Sequence, residues 1–280
     1  MSLTMNEMRD LLEFEGIRLT KSLGQNFLHD RNQLSKIVAA GDVKPGDAVL
    51  EIGPGLGPLT EALLDAGARV RAIEKDTRLA ALLRRRLAGR ESLELVEADA
   101  LDRVEDQSYD WSGWKLVANL PFSVASPILV ELALNPCPPA RIAVTLQLEV
   151  ARRLAAGPGS DDYGLLSLLV QQAFEPRGLF KIPPGCFFPQ PEVDSACITL
   201  VRRASPLLTP EQRAIFVRLT KLGLGQRRKQ SLKLLKAGWP EELLREAFER
   251  VGLSAQARAE TFSLSQFVAL SKTVESLSHG

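Results

Sequence analysis

Between residues 48 and 146, short β-rich runs alternate with helix-like stretches, and few folds accommodate that alternation. The runs are 48–52, 69–74, 93–97, 115–119 and 141–146. Strands separated by helices do not pair as hairpins; they line up in parallel, with the crossover helices covering both faces of the sheet. The pattern therefore predicts an α/β, doubly wound, Rossmann-like sheet. Four of the runs end in polar or glycine-rich segments: 53–57, 74–76, 98–100 and 119–122. Ligands of open parallel sheets sit beyond the carboxyl ends of the strands, so these segments should converge on one crevice.

Past residue 146, helical stretches at 149–156 and 165–174 flank a Gly- and Asp-rich loop, and strand candidates follow near 178–182 and 196–201. These would complete the sheet, the last one antiparallel. Pro206 and Pro210 mark a boundary, after which only helical patterns appear, at 211–224, 228–237, 241–251 and 264–274. Two domains are expected: a catalytic sheet domain over 1–204 and a smaller all-α domain over 205–280. Charge follows the same division. Residues 1–200 hold 21 Lys and Arg against 27 Asp and Glu, whereas 201–280 hold 14 against 7. A net charge of +1 thus hides a basic C-terminal end, suited to gripping phosphates, although a solvated helical surface would look the same.

With 280 residues and 45% hydrophobic composition, a full core can be buried. No apolar run approaches the roughly 18 residues needed to cross a bilayer, and the acidic N-terminal segment lacks the layout of a secretion signal. A cytoplasmic protein with no membrane contact is expected. Cys137, Cys186 and Cys197 are odd in number and fit no zinc or disulfide spacing, so no metal is expected.

Glu51-Ile52-Gly53-Pro54-Gly55-Leu56-Gly57 places its glycines in the first strand-to-helix turn, where a side chain would block a ligand from the backbone. GxGxG with a preceding glutamate favours S-adenosylmethionine over a dinucleotide; a mere tight turn is the bland alternative. Glu74, 17 residues past Gly57, ends the second run, where a carboxylate can accept from both ribose hydroxyls. Asp99 ends the third and could accept from the adenine amine, with the Ala100 N–H addressing the ring.

Asn119-Leu120-Pro121-Phe122 ends the fourth run. An exocyclic adenine amine is a poor nucleophile because its lone pair is delocalised into the ring. The Asn119 side-chain oxygen and the Leu120 carbonyl, aimed by Pro121, can accept its two N–H bonds, and the Phe122 ring can stack on an extruded base. No deep general base is needed, since the methylated amine is strongly acidic. Phe187 and Phe188, in a proline-rich segment, could supply a second stacking face, or serve as core. Arg84-Arg85-Arg86 reads as a solvated helix face.

Together these segments resemble the ribosomal small-subunit RNA adenine N6-dimethyltransferase family, over nearly the whole chain. Lys21-Ser22-Leu23-Gly24-Gln25-Asn26-Phe27-Leu28 looks like that family's N-terminal cofactor motif, and 147–154, 163–167 and 187–195 are also similar. The resemblance implies that Asn26 and Leu28 close over the methionine end of S-adenosylmethionine, with Gly53, Glu74, Asp99 and Asn119 at matching positions; Gly55 and Ala100 are expected beside them in the same cofactor site. It further implies dimethylation of two adjacent adenosines in the 3′-terminal hairpin of small-subunit (16S) rRNA, within an immature subunit and by a monomer. Gly225-Gln226-Arg227-Arg228-Lys229 looks like the family's basic helix-start motif, so Arg227, Arg228, Lys229 and Lys233 are expected to dock on RNA phosphates. Phe122 stands where the family usually has Tyr, which keeps stacking but removes a hydroxyl, and Glu192 stands where a basic residue is usual. A large-subunit rRNA methyltransferase of the antibiotic-resistance type, a ribosome-assembly factor and a nicotinamide oxidoreductase are the competing readings.

Overall fold

The computed structural model describes residues 3–19, 25–226 and 229–278. In chain order the described strands are β1 (Phe27–Leu28), β2 (Ala48–Ile52), β3 (Arg69–Glu74), β4 (Leu93–Glu97), β5 (Trp114–Asn119), β6 (Arg141–Gln147), β7 (Phe174–Ile182), β8 (Phe187–Phe188) and β9 (Ser195–Arg202). Seven of them form one sheet in the order β4-β3-β2-β5-β6-β9-β7. The first five in that order run parallel, and β9 pairs antiparallel with β6. The parallel strands pair one to one, Val49 opposite Val70 and Asn119 opposite Thr145.

The apolar runs of β2, β5 and β6 form strands here because both faces are covered, which suits β-branched residues buried on either side. Val49, Val70 and Val117 pack with Leu34 and Ile37 of α2 (Arg31–Ala40) and with Leu59 and Leu63 of α3 (Pro58–Asp65). Each such fully buried side chain contributes about 1.5–3 kcal/mol. A smaller cluster lies over the turn after β2. Met8 and Leu12 of α1 (Met5–Phe14) meet Phe27, Leu56, and Leu79 and Leu82 of α4 (Thr77–Arg86). Thr4 and Glu7 start α1 with a reciprocal capping box.

The chain divides into two compact units. The first runs to Ala151 and includes Glu175–Arg202; the second takes Arg152–Phe174 and everything from Arg203 on. The change of unit falls within α7 (Leu148–Ala155). The sequence boundary between 204 and 205 had placed 152–174 with the sheet, whereas these residues pack among the later helices. α8 (Leu165–Gln171) touches α9 (Pro210–Leu224), and the Tyr163 hydroxyl donates to the Phe262 carbonyl at 2.9 Å. α8 also ends sooner than the helical pattern to 174 suggested, since Phe174 already opens β7. The second unit continues through α10 (Ser231–Leu235), α11 (Glu241–Val251) and α12 (Leu264–Ser278). Its centre is aromatic: Phe216 meets Phe267 and Phe248 meets Phe262 edge to face, at 6.3 and 5.9 Å between ring centres.

Among the described residues no helix is long and apolar enough to cross a membrane, and no cluster of His, Cys, Asp and Glu could hold a metal ion. The three cysteines are free thiols.

Candidate cofactor and base site

β2 and β5 are neighbours in the sheet although β3 and β4 lie between them in sequence, so the winding reverses there. A crevice forms beyond the strand ends at such a point. Gly53 and Gly55 after β2, Glu74 and Lys75 at the end of β3, Asp99 and Ala100 after β4, and Asn119 and Pro121 at the end of β5 all line it. Gln25, Asn26 and Phe27 supply a further wall. The four segments that the sequence singled out therefore meet.

The turn after β2 is possible only because it is built from glycine. Gly53 and Gly55 have φ of +69° and +57°, a region that side chains disfavour. Space is short as well. A Cβ on Gly53 would lie 3.0 Å from the Pro121 Cγ, and one on Gly55 would overlap the Phe27 ring. The glycine turn and the Asn-Leu-Pro-Phe loop are thus packed directly against one another.

Glu74 is held in the crevice by backbone. The Gly55 N–H donates to one of its carboxylate oxygens at 3.0 Å and the Asp76 N–H to the other at 2.9 Å. Burial pushes its pKa upward; the backbone N–H groups of Asp76, Gly55 and Lys75 oppose the shift, and the Asp76 charge adds to it. A carboxylate has about four acceptor positions, which leaves capacity for ribose hydroxyls. Asp99 is more heavily engaged than the sequence suggested. One oxygen caps α5 (Ala100–Val104) through the Leu101 N–H at 3.0 Å, and the other accepts from the Lys75 ammonium at 2.6 Å. That ammonium is the main reason its carboxyl titrates below the ordinary range. Lys75, passed over in the sequence reading, was signalled only by its position next to Glu74.

Below the turn, Glu51 is 1% exposed and one of its oxygens, Oε2, has no hydrogen-bond partner. Burial pushes its pKa to about 8, against the Thr60 hydroxyl and with help from the Glu74 charge.

Asn119 has the clearest geometry. Its side-chain nitrogen donates to the Asn26 carbonyl at 2.7 Å, which fixes the orientation of the amide because that carbonyl needs a donor. Its Oδ1 is then a buried acceptor with no hydrogen-bond partner. An unmade hydrogen bond of this kind costs about 1–3 kcal/mol, and in the wall of a crevice this oxygen is open to a ligand donor. Leu120 turns its side chain into the core and donates its N–H to the Thr145 carbonyl at 3.0 Å, so its own carbonyl is what it can offer a substrate. Pro121 lines the crevice and its carbonyl accepts from the Val124 N–H at 3.1 Å, which closes the turn. Phe122 is half-buried beside this turn and lies outside the crevice lining.

Two expected site residues face elsewhere. β1 and β8 pair antiparallel, Phe27 opposite Phe188 and Leu28 opposite Phe187. Neighbouring strand residues point to opposite faces, and this short ladder separates its side chains accordingly. Phe27 and Phe188 join the cluster over the glycine turn, while Leu28 and Phe187 enter the main core. Phe187 is 2% exposed and cannot stack on a base from there; Leu28 likewise gives its place in the wall to Phe27. Of the expected RNA contacts, Arg227 and Arg228 lie outside the described residues, and Lys229 and Lys233 are exposed on the second unit.

The donor and acceptor set fits S-adenosylmethionine: a bare backbone turn, a carboxylate for the ribose, another for the adenine amine, and an unsatisfied buried amide oxygen next to them. Comparison with known proteins points the same way. The family model for ribosomal RNA adenine dimethylase matches residues 16–276. Proteins named ribosomal RNA small subunit methyltransferase A are 40% identical in Pelotomaculum thermopropionicum, over 94% of both chains, and in Geobacter sulfurreducens, over 92% of this chain and 96% of that one. Among solved structures, the 23S rRNA methyltransferase ErmE superposes with a TM-score of 0.67 at 29% identity, covering 89% of this chain and 99% of that one. A dimethyladenosine transferase from Plasmodium falciparum has a TM-score of 0.72 at 24% identity, over 87% and 95% of the two chains, and shares the fold. The chain belongs to the ribosomal RNA adenine dimethylase family, and is an S-adenosylmethionine-dependent rRNA adenine methyltransferase.

Proposed function

We propose that the protein places two methyl groups on the N6 of each of two adjacent adenosines in the 3′-terminal hairpin of 16S rRNA. In this reading it works as a cytoplasmic monomer on the immature small subunit and contributes to subunit biogenesis. The identity to proteins named for the small subunit, higher than that to ErmE, supports this choice over a large-subunit target. The single observation that carries the chemistry is the buried, unpartnered Asn119 Oδ1 in the wall of the crevice.

Bound S-adenosylmethionine supplies an electrophilic methyl on a positively charged sulfur. The protein's residues do the rest by holding the amine. Asn119 Oδ1 accepts one N6–H, and the Leu120 carbonyl accepts the other; together they favour a pyramidal nitrogen whose lone pair is free to attack. Asn26 keeps the amide from turning over by accepting from its NH2 group. Phe122 stacks on the extruded base, its ring close to the Pro121 turn that aims the Leu120 carbonyl. Proton loss follows methyl transfer and can go to water, so no buried base is required. Lys229 and Lys233, with Arg227 and Arg228, grip phosphates in this reading.

The test is methylation of immature small subunits with labelled cofactor, followed by nucleoside analysis. Wild-type protein should yield dimethyladenosine. Asn119→Ala should lower turnover by roughly 10²-fold or more, the scale of removing one positioned hydrogen-bond partner of a reacting group, while RNA binding persists. Phe122→Ala should lose about tenfold and Phe122→Tyr little, consistent with about 1–3 kcal/mol per base stack. Near-normal turnover by Asn119→Ala would remove the assigned role, and methyl groups found only in large-subunit RNA would overturn the substrate.

A further inference from the structure

We infer that Arg86 is a positioning residue for the cofactor site: from α4 it fixes the middle of the glycine turn. The three consecutive arginines of this helix have different surroundings. Arg84 is exposed, and Arg85 makes a surface ion pair with Glu15 at 2.5 Å. Arg86 points inward, with its side chain 16% exposed.

Its guanidinium reaches two acceptors on different elements. One nitrogen donates to the Leu56 carbonyl, and the other pairs at 2.7 Å with Glu61 Oε1, whose side chain is 11% exposed. Leu56 lies between Gly55 and Gly57, and its side chain is fully buried. Glu61 stands in the first turn of α3, where its N–H donates to the Gly57 carbonyl at 2.9 Å. One rigid fork therefore ties the turn to the helix that follows it and to α4. Leu83, one helical turn before Arg86, packs so tightly against Gly57 that a Cβ there would overlap it.

This matters for the cofactor because Leu56 follows directly on Gly55, which lines the crevice. Gly53 and Gly55 occupy conformations that glycine can leave as easily as it enters. The Gly55 N–H is also one of the two donors that orient Glu74. If Leu56 drifts, Gly55 drifts with it, and Glu74 loses its orientation toward the ribose. A planar, always charged guanidinium is suited to serving two acceptors at once; a lysine ammonium offers a point charge on a flexible stem.

The experiment measures binding of S-adenosylhomocysteine by calorimetry on purified Arg86→Met, Arg86→Lys and Arg85→Met proteins, next to steady-state kinetics. Loss of a charge-assisted hydrogen bond that orders the site should weaken binding about tenfold in Arg86→Met, with a similar rise in KM for S-adenosylmethionine. The rate at saturating cofactor and the KM for RNA should stay within about twofold, Arg86→Lys should fall between, and Arg85→Met should match wild type. A folded Arg86→Met protein that melts earlier yet binds the product cofactor with wild-type affinity would show a purely structural role and overturn the inference. If Arg86→Met does not fold, Arg86→Lys and Glu61→Gln decide the matter: weakened cofactor affinity in both supports the clamp, and unchanged affinity in both overturns it.

Discussion

The buried carboxyl of Glu51 illustrates how one residue sets a pH response for the whole protein. An ordinary glutamate titrates near 4.5, and burial raises this one to about 8. Between those values the folded protein keeps a proton that the unfolded chain releases. Stability contributed by this group therefore declines as pH rises from about 4.5 through 8 and levels off above that. Glu51→Gln, which resembles the protonated form, should flatten the dependence of the urea midpoint over that window; an unchanged slope would mean that Glu51 is ionised in the fold. At this scale the sequence was most informative for polar residues at strand ends. Glu74, Asp99 and Asn119 could be named because a charged or amide side chain following an apolar run has few other reasons to be there. Phe187 shows the opposite case. An aromatic residue in a proline-rich segment has the same appearance whether it faces a ligand or the core, and only its pairing with Leu28 decides.

Among elements, the turn after β2 and Phe27 of β1, which is held by pairing with β8, wall one side of the crevice. The turn was legible, since glycines spaced by one residue after a strand have a stereochemical cause. The ladder was not, because two residues carry no periodicity and their partners lie far away in the chain. The packing of Phe27 on the turn makes a definite prediction. Gly55→Ala forces a side chain into a left-handed conformation, at a cost of about 1–2 kcal/mol, and drives its methyl into the Phe27 ring. Melting temperature and affinity for S-adenosylhomocysteine should both fall. Phe27→Ala should cost less when added to Gly55→Ala than it does alone, since it then removes the overlap as well as the packing, and the backbone strain stays. Wild-type affinity in Gly55→Ala would mean that the turn does not cradle the cofactor. The five parallel strands were readable within a residue or so because each is a short β-rich run set between helix-like stretches. α8 was read too long, since Phe174 fits a helical period and a strand start equally well.

For the whole molecule, charge and fold divide the work between two units. The acidic first unit carries the crevice, and the basic end of the sequence carries Lys229 and Lys233 on exposed positions of the second. Reversing both, Lys229→Glu with Lys233→Glu, should weaken RNA binding and make its salt dependence shallower by about one unit of slope for each phosphate no longer neutralised. S-adenosylhomocysteine binding should be unaffected, and filter binding over a salt series next to calorimetry would check both statements. An unaltered slope would remove these lysines from the RNA surface. The basic region lies at the C-terminal end of the sequence, and the earlier segment 152–174 clusters with it in the fold; that grouping was not legible, because an amphipathic pattern says that a face is buried without naming what buries it.

That earlier segment limits how the protein can be taken apart. Tyr163 bonds to Phe262 and α8 touches α9, elements that the chain makes only after Arg203, so the helical unit is woven in by two passes of the backbone. A cut after residue 204 would strip partners from an apolar surface and leave it bare to solvent. Any exchange of helical units between relatives would have to transplant both passes as a matched set.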